Sequence, residues 1–169
     1  MNLSRDVLKT EEEIAERVRA LGREITDHYR GREVSLLGIL EGSFVFMADL
    51  ARQIRLPAQV GFLEIITSRK SDFMTEVVFS SSFPIEGAEL LIIEDVLETG
   101  VTQAYLMEQL HLHQPRSVRV CTFLDKPHRR KVDLQPDHVG FQAPDRHVVG
   151  YGLDYQGKYR TLPYLTYVE

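Results

Sequence analysis

One stretch constrains this chain more than any other: "ELLIIEDVLETGVTQAYL", residues 89–106. The run Leu90-Leu91-Ile92-Ile93 is apolar without alternation, the pattern of a strand covered on both faces in a parallel sheet. It ends in two acids, Glu94 and Asp95, and a third, Glu98, precedes Thr99-Gly100-Val101-Thr102. Ligands of open parallel sheets bind beyond the carboxyl ends of the strands, where 94–102 falls. Gly100 permits a tight turn, which leaves the amides near the start of the next helix free to face one centre. Thr99 and Thr102 add hydroxyl donors. Such a nest takes anions, most often phosphate. Acids beside a phosphate need another guest, and sugar hydroxyls or a magnesium ion are the natural ones. The stretch therefore predicts a site for a phosphorylated sugar. A nucleoside triphosphate site of the GxxxxGK[ST] kind is absent from the sequence.

The remaining segments fit an α/β chain. Thr10 and Glu13 form a capping-box signal, and Ile14, Val18, Leu21 and Ile25 then recur on one helical face. "EVSLLGIL" (33–40) and "AQVGFLEIIT" (58–67) read as strands, with a helix over 44–54 between them. Residues 68–76 are polar and aperiodic and read as a mobile loop, 77–83 as a short strand. A helix over 102–113 and a strand over 117–124 follow the central motif. From Lys126 on, Pro, Gly, Tyr and Asp accumulate, which predicts short strands and turns over one end of the sheet, packed by Tyr151, Tyr155, Tyr159, Tyr164 and Tyr167. Strands alternating with helices imply a mainly parallel sheet.

With 169 residues the chain suits one domain, residues 1–169, with a core of useful size. A net charge of −5 argues against nucleic acid as a partner, and no apolar run is long enough for a membrane. The lone Cys121 fits a reducing cytoplasm. His111 and His113 point to different helix faces, and the basic run His128-Arg129-Arg130-Lys131 reads as a solvated turn or a subunit contact.

"LLIIEDVLETGVT" resembles the phosphoribosyl-diphosphate (PRPP) signature of the type I phosphoribosyltransferases: two acids, two apolar residues, then Asp-Thr-Gly-x-Thr. "LLGILEGSFVFMADLARQI" (36–54), "FLDKPHRRKVDLQPDHVGF" (123–141) and "PDRHVVGYGLDYQGKYRTLPY" (144–164) narrow the resemblance to the hypoxanthine-guanine phosphoribosyltransferases. It implies a parallel sheet flanked by helices with a small hood formed by terminal segments. It also implies transfer of phosphoribose from PRPP to hypoxanthine or guanine, Mg²⁺ as cofactor, and a homodimer or homotetramer. By the same resemblance Glu94 and Asp95 meet the ribose hydroxyls, and the turn Glu98-Thr99-Gly100-Val101-Thr102 meets the 5′-phosphate. Lys126 faces the purine's 6-oxo group, His147 stacks on the ring, and Val148 reads the base edge. Asp154 lies beside the base and the metal, which Glu94 and Asp95 would share. Leu40-Glu41-Gly42, often a cis turn in the family, and Arg160 meet the diphosphate. Glu98 is the expected general base.

Four positions depart from the family's pattern. Glu98 stands where Asp is usual, one methylene longer, and misplacement by about 1 Å costs on the order of 100-fold in rate. Ser68-Arg69 replaces a Ser-Tyr pair in the closing loop, Glu41 replaces a basic residue in the diphosphate turn, and His147 replaces an aromatic ring, usually Phe. These departures also admit a rival: a nucleotide- or PRPP-binding regulatory protein of the same fold with weakened catalysis.

Overall fold

The computed structural model describes residues 3–67, 75–79 and 84–169. In chain order the elements are β1 (Leu3–Lys9), α1 (Glu11–His28), β2 (Val34–Ile39), α2 (Phe44–Ala51), β3 (Ala58–Thr67) and β4 (Thr75–Phe79). There follow β5 (Glu89–Leu97), α3 (Val101–His111), β6 (Ser117–Asp125), a 3-10 turn (Pro127–Arg129), β7 (His138–Gln142), β8 (Val148–Val149) and β9 (Leu165–Val168). Six strands form the main sheet in the order β4-β3-β2-β5-β6-β7, parallel except for β4.

The apolar run that anchors the sequence pattern is β5, at the centre of this sheet. Its side chains alternate between two cores. Leu91 and Ile93 face the layer built by α1 and α2, where Ile14, Val18, Leu21, Ile25, Phe46 and Leu50 are buried. Leu90 and Ile92 face α3, against Leu106, Leu110, Leu37 and Val120. Burial on both faces requires the unbroken apolar run, because either polar alternate would sit unpaired in a core. Helix α1 starts where its capping box predicts: Glu13 N donates to Thr10 Oγ1 at 3.2 Å and Thr10 N to Glu13 Oε2 at 2.9 Å.

A separate sheet of three strands, β1-β9-β8, joins the two ends of the chain and forms the expected hood. Thr166 Oγ1 ties it together by donating to Ser4 O and Asp6 O at 3.1 and 2.8 Å. β1 was not expected from the sequence. Its residues alternate weakly and contain charges, so only pairing with the distant β9 makes it a strand. The C-terminal third also divides differently: β7 extends the main sheet beside β6, and only β8 and β9 belong to the hood. Strand β4 starts at Thr75, inside the segment expected to be loop, because its backbone pairs antiparallel with β3 from Thr67↔Thr75 onward. The expected lid residues Ser68 and Arg69 and the end of the expected strand, 80–83, lie outside the described residues.

Candidate active site

The carboxyl ends of β2, β5 and β6 meet the turn before the hood, and most of the expected site residues gather there. β5 delivers Glu94 and Asp95. Glu94 is 6% exposed, and its Oε2 accepts from Gln103 Nε2 of α3 at 2.9 Å. Burial, reinforced by the neighbouring Asp95 charge, pushes its carboxyl well above the usual carboxylate range. Asp95 is more open, and its Oδ1 accepts from Val96 N at 2.8 Å. A β-carbon on Gly42 would lie 1.6 Å from Asp95 Oδ2, so the turn after β2 touches the acid only because residue 42 has no side chain. The peptide Leu40–Glu41 in that turn is cis, as expected.

Beyond Asp95 the chain turns through Glu98 and Thr99 into Gly100, whose φ of 77° is left-handed and which opens α3. Glu98 does not point into empty space. Its Oε1 accepts from Lys126 Nζ at 2.6 Å and its Oε2 from Arg129 Nη1 at 3.1 Å. Partial burial works to raise its pKa, but hydrogen bonding and the charge of Lys126, with help from Arg129, outweigh it and hold the carboxylate below its usual range. Lys126 is 5% exposed, and its ammonium also donates to Arg146 O at 3.1 Å. An ammonium has three donors. Glu98 and Arg146 O take two of them.

The hood supplies the remaining candidates. His147 Nε2 lies 2.9 Å from Asp154 O, and its ring meets Tyr155 edge-on at 5.1 Å. Val148 is buried in β8. Arg160 binds Gly152 O at 2.6 Å, Asp154 Oδ1 at 3.0 Å and Glu41 Oε2 at 3.1 Å. Glu41 therefore turns outward, 76% exposed, and pairs with the arginine expected to meet diphosphate. Asp154 Oδ2 further accepts from Gly157 N at 2.7 Å.

Among the described residues no group of three or more His, Cys, Asp or Glu side chains could hold an ion by itself. Glu94 is buried against Gln103, and Asp154 is held by Arg160 on the hood. The basic run after Lys126 is exposed at His128, Arg129 and Lys131, as a solvated turn would be, but the Arg130 side chain is buried. Arg129 reaches Glu98 and Asp145, while Arg130 is buried against Asp125 and donates to Glu98 O. Sequence reasoning missed Gln103, Asp125, Arg129 and Arg130 as part of this site. For Asp125 the available signal was position, at the end of a strand beside β5; Arg129 and Arg130, three and four residues after Lys126, carried none that separates a paired charge from a solvated one.

Comparison with known proteins agrees with this geometry. Residues 4–156 match the family described as phosphoribosyl transferase domain. The hypoxanthine phosphoribosyltransferase of Salmonella typhimurium is 43% identical over 95% of this chain and 93% of its own. The hypoxanthine-guanine phosphoribosyltransferase of Bacillus subtilis is 40% identical over 94% and 90%. In three dimensions the chain resembles a hypoxanthine-guanine phosphoribosyltransferase from Bacillus anthracis, with a TM-score of 0.91 at 36% identity, all of both chains being covered. A hypoxanthine phosphoribosyltransferase from Staphylococcus aureus gives 0.89 at 39%, covering 98% and 91%. With the family match over residues 4–156 and these relatives alike over nearly the whole chain, in sequence and in three dimensions, the chain belongs to the phosphoribosyltransferase family, among the hypoxanthine-guanine members.

Proposed function

We propose that the chain forms one phosphoribosyltransferase domain that salvages 6-oxopurines: hypoxanthine or guanine reacts with PRPP to give the nucleoside 5′-monophosphate and diphosphate. The observation that carries this reading is Lys126, a buried ammonium with its third donor left for a ligand and Glu98 2.6 Å away. A buried donor favours a base with an acceptor at position 6. Adenine presents an amino group there and would leave the ammonium unsatisfied.

In this reading the free purine loses its imidazole proton as N9 bonds to C1′, and Glu98 accepts that proton. Clamped by two cations, Glu98 is a weak base. As Lys126 turns toward the 6-oxo group, it lends less charge to the carboxylate, so basicity rises when the purine is in place. The extra methylene of Glu98 spans the gap to Arg129 and Lys126 together, which explains how a longer acid is accommodated here. Thr99, Gly100, Val101 and Thr102 would cradle the 5′-phosphate, and Asp95, with Glu94 behind it, the ribose hydroxyls. Arg160 and the turn Leu40-Glu41-Gly42 would receive the diphosphate. His147 and Val148 would border the base.

Magnesium fits this donor set as a partner of substrate oxygens rather than of a protein cage, with Asp154 and Asp95 as its carboxylates. When bound it would neutralise charge on the departing diphosphate. The reading also includes a cytoplasmic homodimer or homotetramer, with no membrane or nucleic-acid partner. Among the described residues no helix is long and apolar enough to cross a membrane.

Replacing Lys126 tests the reading. Lys126→Met should lower kcat/KM for hypoxanthine by about 100-fold or more, with binding of PRPP retained. Unchanged turnover of hypoxanthine by Lys126→Met would overturn it.

A further inference from the structure

We propose that Arg130 is a positioning residue that shapes the 98–102 turn for the 5′-phosphate; the proposal rests on the reading of that turn given above. The residue follows β6 and the 3-10 turn, and nothing in its sequence position marks it as part of a sugar-phosphate grip. Its side chain is only 8% exposed, and that of its carboxylate partner Asp125 is 7% exposed. One terminal nitrogen of the guanidinium donates to Asp125. The other terminal nitrogen donates to two successive carbonyls, Leu97 O at 3.3 Å and Glu98 O, while the buried Nε has no partner among the described residues.

The same segment holds the turn by its backbone. Lys126 N donates to Leu97 O and Lys131 N to Thr99 O, both at 2.9 Å. The carbonyls of Leu97, Glu98 and Thr99 are thus all drawn toward residues 126–131. In a planar trans peptide the N–H points opposite to the C=O. Fixing these carbonyls on one side therefore turns the amides of Glu98, Thr99 and Gly100 to the other, the side where a phosphate would sit. Among the described residues the amides of Thr99 and Gly100 donate to no other backbone atom. The stem of Arg130 also packs under the turn: a β-carbon on Gly100 would lie 3.0 Å from Arg130 Cδ and 3.0 Å from Val132 Cγ2.

Asp125 balances the charge of Arg130, so the guanidinium acts by orientation more than by attracting phosphate. A planar fork spans a carboxylate and two carbonyls at once. An ammonium on a flexible stem cannot hold the same plane.

Arg130→Lys keeps the buried charge and removes the fork. Steady-state kinetics should show KM for PRPP, and the inhibition constant of ribose 5-phosphate, raised about tenfold or more. Inhibition by diphosphate, whose expected turn is 40–42, and KM for the base at saturating PRPP should move less than about twofold. A merely structural role would shift all four together as Tm falls. Such a uniform shift, or unchanged constants for both ribose phosphates, would overturn the proposal. If Arg130→Lys does not fold, the neutral pair Arg130→Gln with Asp125→Asn carries the same test, since one amide cannot bridge both carbonyls. Failure of ribose 5-phosphate to compete with PRPP in the native chain would instead sink the reading of the turn itself.

Discussion

At the scale of single residues, the site is set by how each carboxylate is solvated and paired. Glu94 and Glu98 lie four positions apart, and their environments drive them in opposite directions. The folded-state pKa of Glu94 is above its unfolded value, so its contribution to stability is present at acid pH and lost as pH rises. Glu94→Gln keeps the acceptor for Gln103 and removes that loss. It should raise Tm at pH 7 by on the order of a few degrees, and the gain should vanish below about pH 4. An equal gain at all pH values, read by thermal melts across the range, would contradict the assignment. Glu98 is depressed, so its pairing with Lys126 favours the fold above the usual carboxylate range and is lost as pH falls through the folded-state value. Glu98→Gln should lower kcat by about 100-fold or more, as loss of a general base does. Glu41 is the residue whose neighbourhood reverses expectation: it sits against Arg160 but faces solvent. An exposed pair is worth at most about 1 kcal/mol, so Glu41→Gln should tighten inhibition by diphosphate by no more than about fivefold. Weaker inhibition would show that Glu41 helps hold the ligand.

At the scale of elements, the β5–α3 junction was the most legible part of the chain. Its apolar run, its acids and Gly100 each have one physical use, and the strand, turn and helix lie where they were expected. Gly100→Ala tests how much the turn depends on its left-handed residue. A side chain there costs about 1–2 kcal/mol and crowds Arg130 and Val132, so a denaturant titration should find that loss together with a raised KM for PRPP. The segment after β6 was not legible. Charges in sequence look alike whether solvated or buried, and only the paired ends of β5 and β6 bring Arg130 to Asp125 and to the carbonyls before Gly100. β1 was invisible for a related reason: its strand character comes from a partner more than 150 positions away, seen in the register Leu3↔Val168.

At the scale of the whole molecule, the hood connects the ends of the chain to the base side of the site. β9 is sandwiched between β1 and β8, and Val168 N donates to His147 O at 3.1 Å. Removing residues 1–9 should therefore uncover buried Leu165 and loosen His147 and Val148. Such a truncation should raise KM for the purine more than KM for PRPP; the reverse order would show that the hood does not serve the base. The most direct test of the account is a steady-state assay with PRPP and magnesium and each of hypoxanthine, guanine, xanthine and adenine. The account predicts turnover on at least one 6-oxopurine with adenine poorer by about four orders of magnitude. Absence of turnover on every oxopurine, despite tight binding of a purine nucleoside monophosphate, would contradict it and leave a binding protein on the same fold.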